Sequence, residues 1–175
     1  MEHVEINLYT ERLEIRPIHI MDAGFIHQLV NTEGWKRFIG ERNINNVPDA
    51  MDFISSIWDD PNRSYHVFEL KKSRVPVGII TFLKRKDEKY PDFGFAMLPE
   101  FQKKGYATEA CEAFLEKIKT LQMHENIIAI VKPANDRSIH LLNKLGFSFV
   151  SNHNKNGELL AYYGLKEISE TNENN

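Results

Sequence analysis

Strand-type and helix-type hydrophobic patterns alternate along the 175-residue chain, and their order is the feature that most restricts its possible folds. The order is one strand, two helices, three strands, one helix, one strand, one helix and two strands. Such an order predicts an α/β or α+β fold, in which helices pack on the faces of a mixed sheet. The length predicts one domain over residues 1–168, followed by a polar tail at 169–175.

The seven predicted strands rest on short alternating or fully apolar runs that end at turn residues. The run at 127–131 is apolar throughout, which indicates a strand buried on both faces. Asn156-Gly157 predicts the turn between the last two strands. The predicted strands cover residues 12–16, 65–70, 75–83, 93–98, 127–131, 147–150 and 159–165.

The four predicted helices rest on apolar residues at helical spacing. The clearest has an apolar stripe between Ala107 and Leu121. Asp22, Asp49 and Asn135 are predicted to cap the first, second and fourth helices, because a short polar side chain accepts from free N–H groups there. Gly146 is expected just beyond the fourth helix, where a left-handed residue commonly ends a helix.

The charge balance and cysteine usage limit the expected partners and compartment. The chain carries 22 Lys and Arg against 25 Asp and Glu, so no nucleic-acid partner is expected. Cys111 is the one cysteine, which allows no intrachain disulfide and indicates a reducing compartment. Neither a signal-peptide pattern nor an apolar run of ~20 residues is seen, so a cytoplasmic protein with no membrane partner is expected. The histidines show no metal-binding spacing, so no metal is expected.

The segment Asp92–Ala110 contains the pattern with the most chemical content. A predicted strand leads through a short loop into a helix whose first turn contains Gly105. Free N–H groups, the positive end of the helix dipole and the side chains of Lys103 and Lys104 together form a cradle suited to a pyrophosphate. Taken alone, the same residues also fit a plain turn with two solvated lysines. The segment has neither a Walker A pattern nor a GxGxxG pattern, so nucleoside triphosphates and NAD are not favoured.

Three separated motifs resemble the GNAT superfamily of N-acetyltransferases. The residues Gln102–Ala107 match the family's central motif, Q/R-x-x-G-x-G/A. The residues Thr10–Pro17 (TERLEIRP) resemble the opening strand of the ribosomal-protein N-terminal acetyltransferase branch. The residues Asn135–Phe147 resemble the family's later Asn-x-x-Ser helix, which ends in Lys-Leu-Gly-Phe. The resemblance implies a mostly antiparallel sheet of about seven strands, splayed between its fourth and fifth strands, with about four helices.

The resemblance also implies acetyl-CoA as co-substrate and assigns residues to it. The backbone of Met97 and Leu98 would pair with the pantetheine arm like an added strand. Asn135 would contact the same arm, and Ser138 would lie near the thioester sulfur. The remaining residues assigned to the cofactor form the pyrophosphate cradle: Gln102, Lys103, Lys104, Gly105, Tyr106, Ala107 and Thr108.

For catalysis, the resemblance points to Ser138 as the group that protonates the leaving thiolate. Many relatives carry a tyrosine for this purpose at the position of Leu142. Asp92 matches a position that is commonly Glu in relatives, and it is the candidate general base; a plain carboxylate at the start of a strand is the alternative. Many relatives also carry an Asp in the last hairpin, near Ala161, and this chain does not. Glu33 and Glu41 lie in the region that shapes the acceptor site in relatives.

The function predicted first is acetyl transfer from acetyl-CoA to a primary amine, either a protein N-terminus or a small molecule. Transfer of a longer acyl group is left open. The second function considered is a non-catalytic domain of the same fold that binds acetyl-CoA or CoA as a sensor or interaction module. A monomer and a homodimer are both compatible with the sequence.

Overall fold

The computed structural model describes residues 4–123 and 126–165. The predicted domain end at 168 and the polar tail at 169–175 lie outside these residues. The described residues contain one mixed sheet of eight strands. None of the helices in the described ranges is long and apolar enough to cross a membrane. The strands are β1 (Leu8–Tyr9), β2 (Leu13–Pro17), β3 (Arg63–Leu70), β4 (Pro76–Leu83), β5 (Asp92–Met97), β6 (Ile127–Val131), β7 (Phe147–Lys155) and β8 (Glu158–Leu165).

The strands are arranged in the order β1-β2-β3-β4-β5-β6-β8-β7. Every neighbouring pair is antiparallel except β5 and β6, which are parallel. The predicted mostly antiparallel mixed sheet is therefore confirmed. The additional strand, β1, has only two residues, too few for a hydrophobic pattern to be recognised. The predicted turn at Asn156-Gly157 is also confirmed, because both residues have positive φ angles of 52° and 82°.

The described residues contain five α-helices, rather than the predicted four. The unpredicted one is short and contains Gly34, so its sequence has little helical signal. Its first turn is capped by Thr32, whose side chain accepts from Trp35 N–H. The helices are α1 (Ala23–Val30), α2 (Glu33–Phe38), α3 (Val47–Trp58), α4 (Tyr106–Thr120) and α5 (Asp136–Lys144).

Two of the three predicted helix caps need correction. Asp22 is the N-cap residue of α1, as predicted, but its side chain makes no capping bond there; it accepts from His19 N–H at 2.8 Å in the 3-10 turn that precedes the helix. The cap of α3 is Asn46, which accepts from Asp49 N–H, so Asp49 lies inside the first turn. The third prediction is confirmed, since Asn135 Oδ1 accepts from Ser138 N–H at 3.3 Å.

The helices form two layers, one on each face of the sheet. Helices α4 and α5 pack on one face, where Phe82, Phe93 and Phe114 form the centre of the core. Helices α1, α2 and α3 pack on the other face and bury a second cluster around Ile26 and Ile54. Because side chains alternate along a strand, Phe93 faces α4 while Asp92 faces the layer of α1 to α3. The two faces of β5 therefore face different helix layers.

Candidate active site

The parallel strands β5 and β6 separate immediately after their first contact. Asp92 is aligned with Ile128, and Ile128 N–H donates to Pro91 O at 3.0 Å. In a continued parallel ladder, the next N–H on this edge, that of Ile130, would donate to the Phe93 carbonyl. It instead donates to Asp92 Oδ1 at 3.3 Å. The Asp92 side chain thus ends the ladder, and a cleft opens where β5 and β6 diverge, as the resemblance implied.

The register of β5 determines which backbone groups face the cleft. Leu98 N–H donates to Val77 O on the β4 side at 2.9 Å. Because successive N–H groups of a strand point to opposite sides, those of Phe95 and Met97 point toward the cleft. The Leu98 carbonyl accepts from Phe101 N–H at 3.1 Å, so both of its polar backbone groups have protein partners. Leu98 therefore presents no free N–H group to the cleft, whereas Phe95 and Met97 do. The pairing of Met97 and Leu98 with a pantetheine arm stays a prediction.

The loop after β5 leads to the exposed start of α4. Gly105 is the N-cap, with a left-handed φ of 80°, and it has no side chain with which to cap the helix. The first intrahelical bond runs from Glu109 N–H to Gly105 O at 3.0 Å. The N–H groups of Tyr106, Ala107 and Thr108 come before that bond, at the positive end of the helix dipole. This arrangement fits a bound phosphate group.

The charged side chains of the loop surround this helix start. Lys103 also has a positive φ, 62°, so two left-handed residues shape the turn. Both Lys103 and Lys104 are exposed, and Lys104 Nζ donates to Glu100 O at 3.2 Å. The Gln102 side chain accepts a hydrogen bond from Arg137, which lies in the first turn of α5. This contact joins the α4 loop to the helix on the other side of the cleft.

Helix α5 carries the two residues predicted on the far side of the cleft. Asn135 and Ser138 are both half-buried, and the Asn135 side chain is engaged in capping α5. The Ser138 side chain has no hydrogen-bond partner among the described residues, so its hydroxyl is available to a ligand. Leu142, where relatives carry a tyrosine, is fully buried in the core, as is Ala161 near the position of the relatives' Asp.

Asp92 is 5% exposed and is held from two sides. Its Oδ2 accepts from Arg85 Nε at 2.8 Å, and its Oδ1 accepts from Ile130 N–H. Burial raises the pKa of Asp92 to about 6, although the ion pair with Arg85 acts in the opposite direction. A carboxylate with such a pKa is largely ionised at neutral pH and can still accept a proton.

Sequence reasoning missed a polar cluster that joins the β1–β2 turn to the start of α4. Arg12 Nε contacts Glu109 Oε2 at 2.6 Å, and Arg12 Nη1 donates to Lys104 O at 2.9 Å. Thr10 Oγ1 donates to Glu109 Oε1 at 2.6 Å. A Cβ placed on Gly105 would lie 3.2 Å from Arg12 Nη2. The two halves of this cluster are about 100 residues apart in the chain, and no local pattern indicates that they meet.

A second group of polar residues that the sequence did not predict lies beside β6, on the same face of the sheet as Asp92. Tyr162 Oη donates to Glu88 Oε1 at 2.7 Å, and Lys155 forms an ion pair with the same carboxylate. A pocket of about 270 Å³ is lined in part by Ile128, Tyr162 and His153. Glu33 and Glu41, from the region expected to shape the acceptor site, are exposed.

Two N-acetyltransferases are similar to this chain in sequence. YnaD, an uncharacterized N-acetyltransferase of Bacillus subtilis, is 29% identical over 142 residues, which are 81% of this chain and 82% of YnaD. The spermidine N(1)-acetyltransferase of Escherichia coli K12 is 27% identical over 139 residues, which are 78% of this chain and 73% of that enzyme.

Among solved structures, the ribosomal L7/L12 alpha-N-protein acetyltransferase RimL in complex with coenzyme A shares the fold. Its TM-score is 0.75 at 12% identity, with 91% of this chain and 97% of RimL covered. The model of the acetyltransferase (GNAT) domain matches residues 12–148, more than three quarters of the chain. The chain therefore belongs to the GNAT family and is an acetyltransferase.

Proposed function

We propose that this acetyltransferase moves the acetyl group of acetyl-CoA directly to a primary amine. The observation that carries the proposal is the cleft between β5 and β6, which ends beside the uncapped start of α4. An extended arm can pair with a free strand edge while a pyrophosphate occupies a helix start. CoA has both of these parts in one molecule, in the order in which the cleft and the helix start occur.

The chain's own residues divide the binding of CoA among three elements. The backbone of Phe95 and Met97 on β5 would hold the pantetheine arm, with Asn135 on the other side of the cleft. The loop and first turn of α4 would hold the pyrophosphate through Gly105 and the N–H groups that follow it. Lys103 and Lys104 would add positive charge, and Gln102 would tie this loop to α5 through Arg137.

Three groups would share the chemistry of transfer, for which acetyl-CoA supplies the activated acyl group. Asp92 would take a proton from the acceptor ammonium, directly or through water. A cleft-facing N–H of β5, from Phe95 or Met97, would donate to the carbonyl oxygen as negative charge develops there. The Ser138 hydroxyl would donate to the departing thiolate.

The acceptor is proposed to be a primary amine, on a protein N-terminus or on a small molecule. The names of two similar proteins support one class each: spermidine for the Escherichia coli enzyme and a ribosomal protein for RimL. The pocket beside Tyr162 lies on the same face of the sheet as Asp92, and it is lined in part by Ile128, the residue aligned with Asp92 in β6. Whether the enzyme acts as a monomer or a homodimer stays a prediction, as does its cytoplasmic location.

The proposal is tested by thermal unfolding with and without acetyl-CoA. At ~100 times the dissociation constant, a ligand stabilises the folded state by about 2.7 kcal/mol, so the unfolding temperature should rise clearly. Gly105→Glu should abolish that rise, because a carboxylate would enter the phosphate cradle. Gly157→Glu is the matched control, since Gly157 has nearly the same φ (82°) and lies in the β7–β8 turn.

Two results would contradict the proposal. One is the absence of a thermal shift with both acetyl-CoA and CoA for the wild-type protein. The other is a shift that Gly105→Glu leaves intact. If acetyl-CoA binds, release of CoA thiol is then measured with spermidine and with a peptide bearing a free N-terminus. Binding with no turnover on either amine would contradict transfer to these two classes of acceptor.

A further inference from the structure

We propose that Arg12, in the turn between β1 and β2, is a direct phosphate ligand of the CoA site. The inference rests on the proposed use of acetyl-CoA. It adds to the site a residue far from the GNAT central motif in sequence, and it gives the opening Thr-Glu-Arg-Leu segment a role in binding.

The position of the Arg12 guanidinium relative to Gly105 carries the proposal. A Cβ on Gly105 would be 3.2 Å from Arg12 Nη2, so the guanidinium lies beside the space that a side chain at this position would occupy. The Nε and Nη1 groups are occupied by Glu109 and by Lys104 O. Nη2 has no hydrogen-bond partner among the described residues. Its two N–H groups are therefore available beside the N–H groups that start α4.

The guanidinium is held in one orientation before any ligand arrives. Arg12 Cζ lies 4.5 Å from the centre of the Tyr106 ring, so the ring packs against one face of the guanidinium. Arg12 N–H and Thr10 Oγ1 both donate to Glu109 Oε1, so the backbone of the turn is fixed to α4 as well. An arginine that is already oriented loses less conformational entropy when it binds an anion.

Charge at the site supports the same conclusion. Glu109 lies in the first turn of α4, where its carboxylate would repel a phosphate. Arg12 neutralises that carboxylate through an ion pair at the protein surface, in which Arg12 Nε lies 2.6 Å from Glu109 Oε2. Lys103 and Lys104 then provide the uncompensated positive charge, so the local field favours a phosphate. Arg12 thus has two separable effects: it can bind the phosphate directly, and it can screen Glu109.

CoA carries two phosphate sources that Arg12 could meet, the pyrophosphate and the 3′-phosphate of the adenosine. The proximity of Nη2 to Gly105 favours the pyrophosphate. Dephospho-CoA, which lacks only the 3′-phosphate, separates the two. A pyrophosphate contact predicts the same loss of affinity for CoA and dephospho-CoA when Arg12 is replaced. A contact to the 3′-phosphate predicts a loss for CoA alone.

The test is calorimetric titration of acetyl-CoA into four proteins: wild type, Arg12→Gln, Glu109→Gln and the double variant. A charge-assisted hydrogen bond predicts at least about a tenfold loss of affinity for Arg12→Gln. The double variant should lose a similar factor relative to Glu109→Gln, because Glu109 is neutral in both proteins. Thermal unfolding without ligand verifies that each variant is folded, and Arg12→Lys replaces Arg12→Gln if the latter does not fold.

The outcomes separate the inference from the proposed function. If the double variant and Glu109→Gln bind acetyl-CoA equally well, Arg12 acts only by screening or bracing Glu109, and the inference is overturned. If Arg12→Gln binds as tightly as wild type, it is overturned outright. If the wild-type protein binds no CoA, the proposed function itself fails. A loss in both comparisons, measured also with dephospho-CoA, supports the inference and identifies the phosphate.

Discussion

At the scale of single residues, Asp92 shapes the cleft and is also the proposed general base. By accepting from Ile130 N–H, it replaces the Phe93 carbonyl in the ladder and separates β5 from β6. Burial at this position raises the pKa of Asp92 to about 6. A base must be deprotonated to act, so a group with this pKa is active above pH 6 and inactive well below it.

The raised pKa of Asp92 predicts that the reaction rates of two variants depend on pH in different ways. The wild-type kcat/KM should rise with pH to about 6 and then level, because Asp92 gains its charge there. Asp92→Asn keeps an oxygen for Ile130 N–H but cannot accept a proton, so it should lower the rate at pH 8 and abolish the step near 6. Ser138→Ala should lower kcat more than acetyl-CoA affinity and leave the step in place.

The measurement is a pH–rate profile for the three proteins with one acceptor amine. A step near pH 6 that persists in Asp92→Asn would show that another group is the base. Unchanged kinetics for Ser138→Ala would remove its hydroxyl from the mechanism.

At the scale of elements, sequence patterns predicted most strands and helices because each depends on residues close together in the chain. The start of α4 is an example, since its glycine and lysines occur within three residues. Capping was harder to predict because several polar residues compete at one helix start. Asp22 occupies the N-cap position of α1, but its carboxylate accepts from His19 N–H and from Arg16 rather than from the helix N–H groups. Arg12 and Glu109 could not be paired, because only the three-dimensional fold brings them together.

Arg16 of β2 illustrates how one element is tied to its neighbours. Its guanidinium makes two hydrogen bonds to Asp22, at 2.8 and 2.9 Å, and another to Glu69 of β3 at 2.8 Å. Both carboxylates are nearly completely buried. The ion pairs raise the pKa of Arg16, mainly through its hydrogen bonds to Asp22, so the charge is retained.

Arg16→Met should therefore destabilise the fold by roughly 3–5 kcal/mol, the usual cost when a buried charge loses its partner. Urea unfolding measures the change. Arg37→Met, which alters an exposed arginine of α2, is the control and should change stability by no more than about 0.5 kcal/mol. A loss below about 1 kcal/mol for Arg16→Met would show that the fold accommodates both carboxylates without Arg16, with Glu69 still paired to Arg74.

At the scale of the whole molecule, two buried groups make stability depend on pH in opposite directions. Asp92 has a raised pKa, so the folded state holds its proton more tightly than the unfolded chain, and acidification through pH 6 favours folding. His66 is buried beside Phe114 in the core under α4, and burial lowers its pKa to about 3. The unfolded chain, where histidine has a pKa near 6.5, therefore binds this proton more readily.

The contribution of His66 should be fully present above pH 6.5 and should be lost progressively as the pH falls toward 3. Each pH unit in that window costs up to about 1.4 kcal/mol, because one extra proton binds on unfolding. His66→Gln removes this titration and can still accept from Ile6 N–H, which His66 Nε2 accepts at 3.0 Å. Asp92 is present in both proteins, so its opposite effect cancels in the difference. Urea unfolding between pH 4 and 8 should show the wild type losing stability relative to the variant below pH 6.5, with parallel curves above it. Parallel curves over the whole range would mean that water or a rearranged core accommodates the protonated ring.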